Sequence, residues 1–181
     1  MSSLEQALEC AERLQNENCP CLLIGGFAVN EHGYTRNTLD IDFMVEDSAL
    51  AQVKDLMRKR GFTCITQHEN VTFFSMPNDP FRVDFLMVDS STFEKLSESS
   101  EKRFVLGKPV YVPALKDLLA MKIFALTGNQ PKRRAKDLPD IAFLTVLNEL
   151  NIQKDLLPLC EKFGSQETTS LILNQIKELE S

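Results

Sequence analysis

At Pro113 the apolar pattern of the chain changes from strand-like to helical, and this switch limits the fold more than any other feature. Every strand candidate lies before about residue 112. Cys21-Leu22-Leu23-Ile24 is a short apolar run that stops at Gly25-Gly26, the pattern of a buried strand turning sharply into the next element. Asp40-Ile41-Asp42-Phe43-Met44-Val45 alternates polar and apolar residues before running apolar, a second strand. Phe62 to Gln67, Val71 to Met76 and Arg82 to Val88 are three more, rich in aromatic and β-branched residues. Phe104-Val105-Leu106 and Pro109-Val110-Tyr111-Val112, joined at Gly107-Lys108, read as a small hairpin.

Helical spacing appears at Leu4, Ala7, Leu8, Ala11 and Leu14, so Leu4 to Asn16 reads as an amphipathic first helix. Phe27 to Glu31 reads as a short helix. Asp47 or Ser48 is expected to cap a helix that turns Leu50, Val53, Leu56 and Met57 inward and ends at Gly61. Past Pro113, residues 114 to 126, 136 to 149, 152 to 163 and 167 to 179 carry helical patterns. The expected class is α/β (α+β): a mixed sheet flanked by helices in residues 1–126, followed by a C-terminal helical region, 127–181, packed on or beside it.

With 181 residues, 43% hydrophobic and 25% charged, the chain can bury a core without disulfide or metal staples. Its five cysteines show no paired C-x-x-C spacing and are read as buried small hydrophobes. No basic stretch followed by an apolar run opens the sequence, and no apolar run approaches the ~18 residues that span a bilayer, so a cytoplasmic protein without membrane contact is expected. The formal charge of −6 argues against a surface that attracts nucleic acid as a whole, leaving one basic run, Lys132-Arg133-Arg134-Ala135-Lys136.

The chemistry concentrates in the first third. Side chains alternate along a strand, so Asp40 and Asp42 point to one face with α-carbons about 6.5 to 7 Å apart. Two carboxylates so placed repel unless water or a cation relieves them, and magnesium suits both oxygen ligands and substrate phosphates. Gly25-Gly26, without Cβ atoms, lets backbone approach a phosphate closely, and the amides that follow offer an anion site. Asp84 interrupts an apolar strand; alone it reads as a surface aspartate or a partner for Arg82, and beside the other two acids as a third member of the site.

Gly25-Gly26, thirteen residues, Asp40-Ile41-Asp42 and a later Val83-Asp84-Phe85 resemble the signature of the DNA polymerase β-like nucleotidyltransferase superfamily. Within it, Gly25 to Val29, Arg36 to Asp42, Pro113 to Lys122 and Arg134 to Asp140 resemble the AbiEii/AbiGii-type toxins and their uncharacterised relatives. The resemblance implies a nucleotidyltransferase fold, metal ligation by Asp40 and Asp42, a metal-binding or general-base role for Asp84, and triphosphate contacts from Gly25 and Gly26. It further implies Mg2+ or Mn2+ and a nucleoside triphosphate substrate. Many superfamily members carry Gly-Ser where this chain has Gly-Gly, so backbone amides must serve in place of a hydroxyl.

The supporting residues have two readings each. Arg36 either steers phosphate or balances Asp40 and Asp42, and Thr38 shapes the turn before the strand. Lys122, a lone cation among apolar neighbours, either reaches the triphosphate or snorkels to the surface. Arg134 and Lys136 contact phosphate or an acceptor, or belong with Asp137 and Asp140 to capping and salt bridges near a helix start. Two functions stay open: an enzyme transferring a nucleotide to a hydroxyl of RNA (tRNA among them), protein or a small molecule, including the toxin of a toxin–antitoxin pair with its antitoxin as partner; and a catalytically degenerate module that binds nucleotide or protein.

Overall fold

A computed structural model describes residues 1–128 and 130–181. The chain divides into two compact units, residues 1–28 with 36–114 and residues 29–35 with 115–181.

The first unit opens with α1 (Ser3–Asn16), started by a capping box in which the Ser2 hydroxyl accepts from the Glu5 amide and Glu5 returns to the Ser2 amide. Its apolar stripe, Ala7, Leu8, Ala11 and Leu14, is buried as the spacing requires. There follow β1 (Leu22–Ile24), α2 (Gly25–Glu31, which runs on into the second unit), β2 (Asp40–Glu46), α3 (Leu50–Lys59), β3 (Thr63–Gln67), β4 (Val71–Ser75), β5 (Arg82–Val88), α4 (Ser90–Glu98), β6 (Glu101–Val105) and β7 (Lys108–Val112).

Five strands form one mixed sheet in the order β1-β2-β5-β4-β3, and β6 and β7 form a separate hairpin. Among the described residues β2 and β5 pair in parallel, and the other pairs of the sheet are antiparallel. This parallel pair sits at the centre, where Ile41, Phe43, Val83 and Phe85 are fully buried and the Phe43 and Phe85 rings stack with centroids 5.4 Å apart. Hydrophobic alternation thus sends one set of side chains into the core and leaves Asp40, Asp42 and Asp84 on the other face.

Two local expectations are corrected in this unit, and one helix is added. Neither Asp47 nor Ser48 caps α3; a 3-10 turn, Asp47–Ala49, leads into it, and the Ser48 hydroxyl donates to Glu46 instead, at 3.1 Å. Residues 90 to 98 form α4, which no apolar stripe announced because only Phe93 and Leu96 turn inward. Its cap is Asp89, whose carboxyl is held down to about 2 by hydrogen bonds from the Ser91 and Thr92 hydroxyls and the Thr92 amide. Cys64, on the outer strand β3, is exposed, while Cys10, Cys19, Cys21 and Cys160 are buried.

The second unit packs α5 (Leu115–Thr127), α6 (Pro131–Leu147), α7 (Leu157–Phe163) and α8 (Gln166–Glu180), with a π-helical turn at Ile152–Leu156 leading into α7. Leu118, Leu119, Ile123, Ile141, Leu144, Leu156 and Ile172 make its core, and Tyr34 stacks on Phe143 at 4.2 Å. Pro131 starts α6, a position where its missing N–H costs nothing, several residues before the apolar pattern predicts. Asp137 and Asp140 therefore lie in the body of α6, not in its first turn. Among the described residues no helix is long and apolar enough to cross a membrane.

Candidate active site

Register assembles the site. In the parallel ladder Asp42 stands beside Asp84 and Asp40 beside Arg82, so four charged side chains share one face of two central strands. The same cross-sheet row continues from Asp42 to Ile24 on β1 and from Asp84 to Phe73 on β4. Like charges directly opposite on a sheet destabilise it. Asp84, whose side chain is 8% exposed, is neutralised by Arg82, which donates Nε to Oδ1 at 2.6 Å and Nη2 to Oδ2 at 2.8 Å. The same Nη2 reaches Asp40 Oδ2 at 3.2 Å, and the guanidinium lies 4.8 Å from the centroid of the Phe73 ring. The hydrogen bond that Asp84 accepts, and the negative charges of Asp84, Asp40 and Asp42, raise the Arg82 pKa further and keep it charged.

The Gly25-Gly26 turn fits against this face because neither residue has a side chain. Gly25 has a φ of +65°, and a Cβ there would fall 2.0 Å from Asp42 Oδ2. At Gly26 a Cβ would come within 3.1 Å of both Arg36 Nη1 and Thr38 Oγ1. Thr38 in turn donates to Asp40 Oδ1 at 2.5 Å. The structure thus brings Gly25, Gly26, Arg36, Thr38, Asp40, Asp42 and Asp84 into one neighbourhood of the first unit. An open cavity of about 340 Å³ meets it at Asp40 and is lined by Leu39, Asp40, Ile65, Ser75, Asp79, Pro80 and Arg82. Another, of about 120 Å³, lies between α1, β1 and the β6–β7 hairpin, and none of the three carboxylates lines it.

Three site candidates lie in the second unit. Lys122 is neither a surface lysine nor a lone cation: its Nζ sits 2.8 Å from Asp137 Oδ1 and 2.8 Å from Asp140 Oδ2, with all three side chains at most 7% exposed. Arg134 and Lys136 are exposed on α6. The sequence pattern points to Lys122 but not to its partners, because it starts the helix at residue 136 and assigns Asp137 and Asp140 to capping and salt bridges near that start. Arg82 was visible only as one reading of Asp84's surroundings; its spacing of two residues on the same strand is the signal that pairs them.

The donors suit a divalent cation by type: three carboxylates on adjacent positions of two strands, with glycine backbone beside Asp42. Among the described residues no three His, Cys, Asp or Glu side chains converge on a common point, and it is the Arg82 fork that lies against Asp40 and Asp84.

A mixed sheet of this order with an acidic pair following a Gly-Gly turn defines a nucleotidyltransferase fold, and solved structures agree. The antibiotic-resistance factor ANT(2'')-Ia, crystallised in complex with adenylyl-2''-tobramycin, superposes with a TM-score of 0.58 at 14% identity, over 97% of this chain and 96% of that one. An antigenic nucleotidyltransferase-like protein from Paracoccidioides brasiliensis gives 0.57 at 17% identity over 98% and 90%. The lincosamide antibiotic adenylyltransferase LnuA, with lincomycin bound, gives 0.56 at 10% identity over 78% and 95%. At the level of sequence, residues 1–179 match the family described as uncharacterised nucleotidyltransferase, and the chain belongs to that family of enzymes. No curated protein matches the sequence.

Proposed function

We propose that the protein transfers a nucleoside monophosphate from a nucleoside triphosphate to an acceptor hydroxyl, with Asp40, Asp42 and Asp84 as the metal-binding and catalytic acids. The observation that carries this reading is the register of Asp42 with Asp84, with Asp40 on the same face and the Gly25-Gly26 turn laid against Asp42. Asp40 and Asp42 would hold Mg2+ or Mn2+, with Asp84 as further ligand or general base. Such a cation supplies charge neutralisation at the phosphates and at the entering and leaving oxygens.

The protein's own groups divide the remaining work. Backbone at Gly25 and Gly26 approaches the triphosphate, and Arg36, beside Gly26, meets its negative charge. Thr38 fixes the Asp40 carboxylate through its hydroxyl. As the acceptor oxygen forms its bond to the α-phosphorus, the α–β bridging bond breaks, pyrophosphate leaves, and the acceptor proton passes to Asp84. We assign the acceptor to the cavity beside Asp40, whose rim carries the exposed Leu39 and Ile65.

A nucleotide contact from Lys122, and phosphate or acceptor contacts from Arg134 and Lys136, rest on the sequence pattern. So do the kinship to AbiEii-type toxins, a cognate antitoxin and a cytoplasmic location. The relatives' acceptors suggest candidates to try: ANT(2'')-Ia is described with adenylyl-2''-tobramycin and LnuA with lincomycin. The test is incubation with magnesium and each α-labelled nucleoside triphosphate, offering such small molecules, transfer RNA and whole lysate in turn. Label should appear on one acceptor class; its absence from all of them, with no nucleotide binding either, contradicts the proposal.

A further inference from the structure

The acidic face carries its own counter-ion. Arg82 precedes Asp84 by two residues on β5, so both side chains rise from the same face, and Asp40 is its register partner on β2. One guanidinium therefore makes a two-pronged pair with Asp84, at 2.6 and 2.8 Å, and a third bond to Asp40 at 3.2 Å. Fork geometry of this kind suits guanidinium and not ammonium, and Phe73 supports the group from β4 with its ring centroid 4.8 Å away. Exposure is uneven: the Arg82 side chain is 44% exposed, against 19% for Asp40 and 8% for Asp84. The arginine can leave toward solvent along its long stem, whereas the carboxylates are fixed on the central strands.

A divalent cation bound by Asp84 or Asp40 needs the same oxygen lone pairs that accept from Arg82. Two cations cannot share both Asp84 oxygens without repulsion. We propose that Arg82 is a displaceable counter-ion, which neutralises Asp84 and Asp40 in the metal-free protein and which a divalent cation must dislodge, so that this one residue sets the metal affinity of the site. The idea rests on the reading that these carboxylates hold metal.

Two opposite effects distinguish it from a simple structural role. Without metal, removing Arg82 takes away the counter-charge that Asp84 and Asp40 share and lowers the melting temperature. With metal, the competitor is gone and binding tightens. The experiment titrates Mn2+ alone, without nucleotide, into the full chain, following free Mn2+ by electron paramagnetic resonance, and records melting curves with and without Mn2+. Arg82→Ala should bind Mn2+ about tenfold more tightly than wild type, on the scale of a lost charge-assisted hydrogen bond, and gain more melting temperature from Mn2+. Arg82→Lys, which keeps the charge without the fork, should fall between them and serves alone if Arg82→Ala does not fold. Equal or weaker Mn2+ binding by a folded variant, beside a wild type that binds, overturns the counter-ion role and leaves the metal site standing. No Mn2+ binding by wild type or variants overturns both.

Discussion

Asp42 on β2 and Asp84 on β5 stand side by side in the central parallel ladder, two carboxylates on one face with the Arg82 guanidinium locked onto the second. A sheet interior tolerates such a pair only when a cation relieves it, so the arrangement costs stability that a purely structural strand would not give up.

Gly25→Ala should damage the site from the backbone side. The left-handed φ of +65° costs an alanine about 1–2 kcal/mol, and its Cβ would also press on Asp42 Oδ2. A drop in melting temperature together with loss of Mn2+ binding is the expected outcome. Wild-type melting and wild-type Mn2+ affinity would show that the close approach of Gly25 to Asp42 does not matter.

Lys122→Ala should be among the most destabilising changes in the second unit. It removes the cation that the buried Asp137 and Asp140 share, and breaking a buried pair of this kind costs about 3–5 kcal/mol. Urea denaturation measures it directly. A loss below about 1 kcal/mol, the range of an exposed pair, would mean that the ion triad is solvated.

Thiol reactivity should single out Cys64. Burial pushes the Cys10 thiol up to about 11 and the Cys21 thiol up to about 12, and it raises Cys19 and Cys160 as well. At pH 8 a disulfide reagent should therefore modify one cysteine quickly, the exposed Cys64, and the other four only on unfolding. Two or more fast thiols in the folded protein would contradict this burial.

Asp89 should give an acid-dependent share of stability. Its pKa in the folded chain is about 2, depressed from an ordinary 3.8, so the contribution is fully present above about pH 4 and fades as pH falls toward 2. Wild type should melt higher than Asp89→Asn at pH 7, and the gap should shrink from about pH 4 down and close only below about pH 2. A gap unchanged over that range would show that the cap works through shape alone.

Much of this was legible in the sequence where two constraints agreed. The alternation of Asp40-Ile41-Asp42 fixes which face the acids take, and the apolar setting of Asp84 marks its strand as central, so the neighbourhood of the acids follows once β2 and β5 pair. Pairing itself is long-range and left no local trace: nothing within residues 40–46 says that Arg82 will lie opposite Asp40. The α4 helix escaped for the opposite reason, since two inward residues are too few to write a period. The Lys122 cluster is not legible because the first turn of α6, Lys132 to Lys136, is charged and exposed and writes no apolar period, so the pattern starts the helix late and sets Asp137 and Asp140 at its beginning.

The central claim is that the three carboxylates perform nucleotidyl transfer, and the most direct measurement compares wild type with Asp42→Asn in transfer of label from an α-labelled nucleoside triphosphate in the presence of magnesium. Asparagine keeps the size of the side chain while removing its charge and exchanging one acceptor oxygen for an amide donor. The account predicts at least about a hundredfold less transfer by the variant, the scale of losing a group that acts only in the transition state, with a melting temperature no lower than that of wild type. Equal transfer by the two proteins would contradict it.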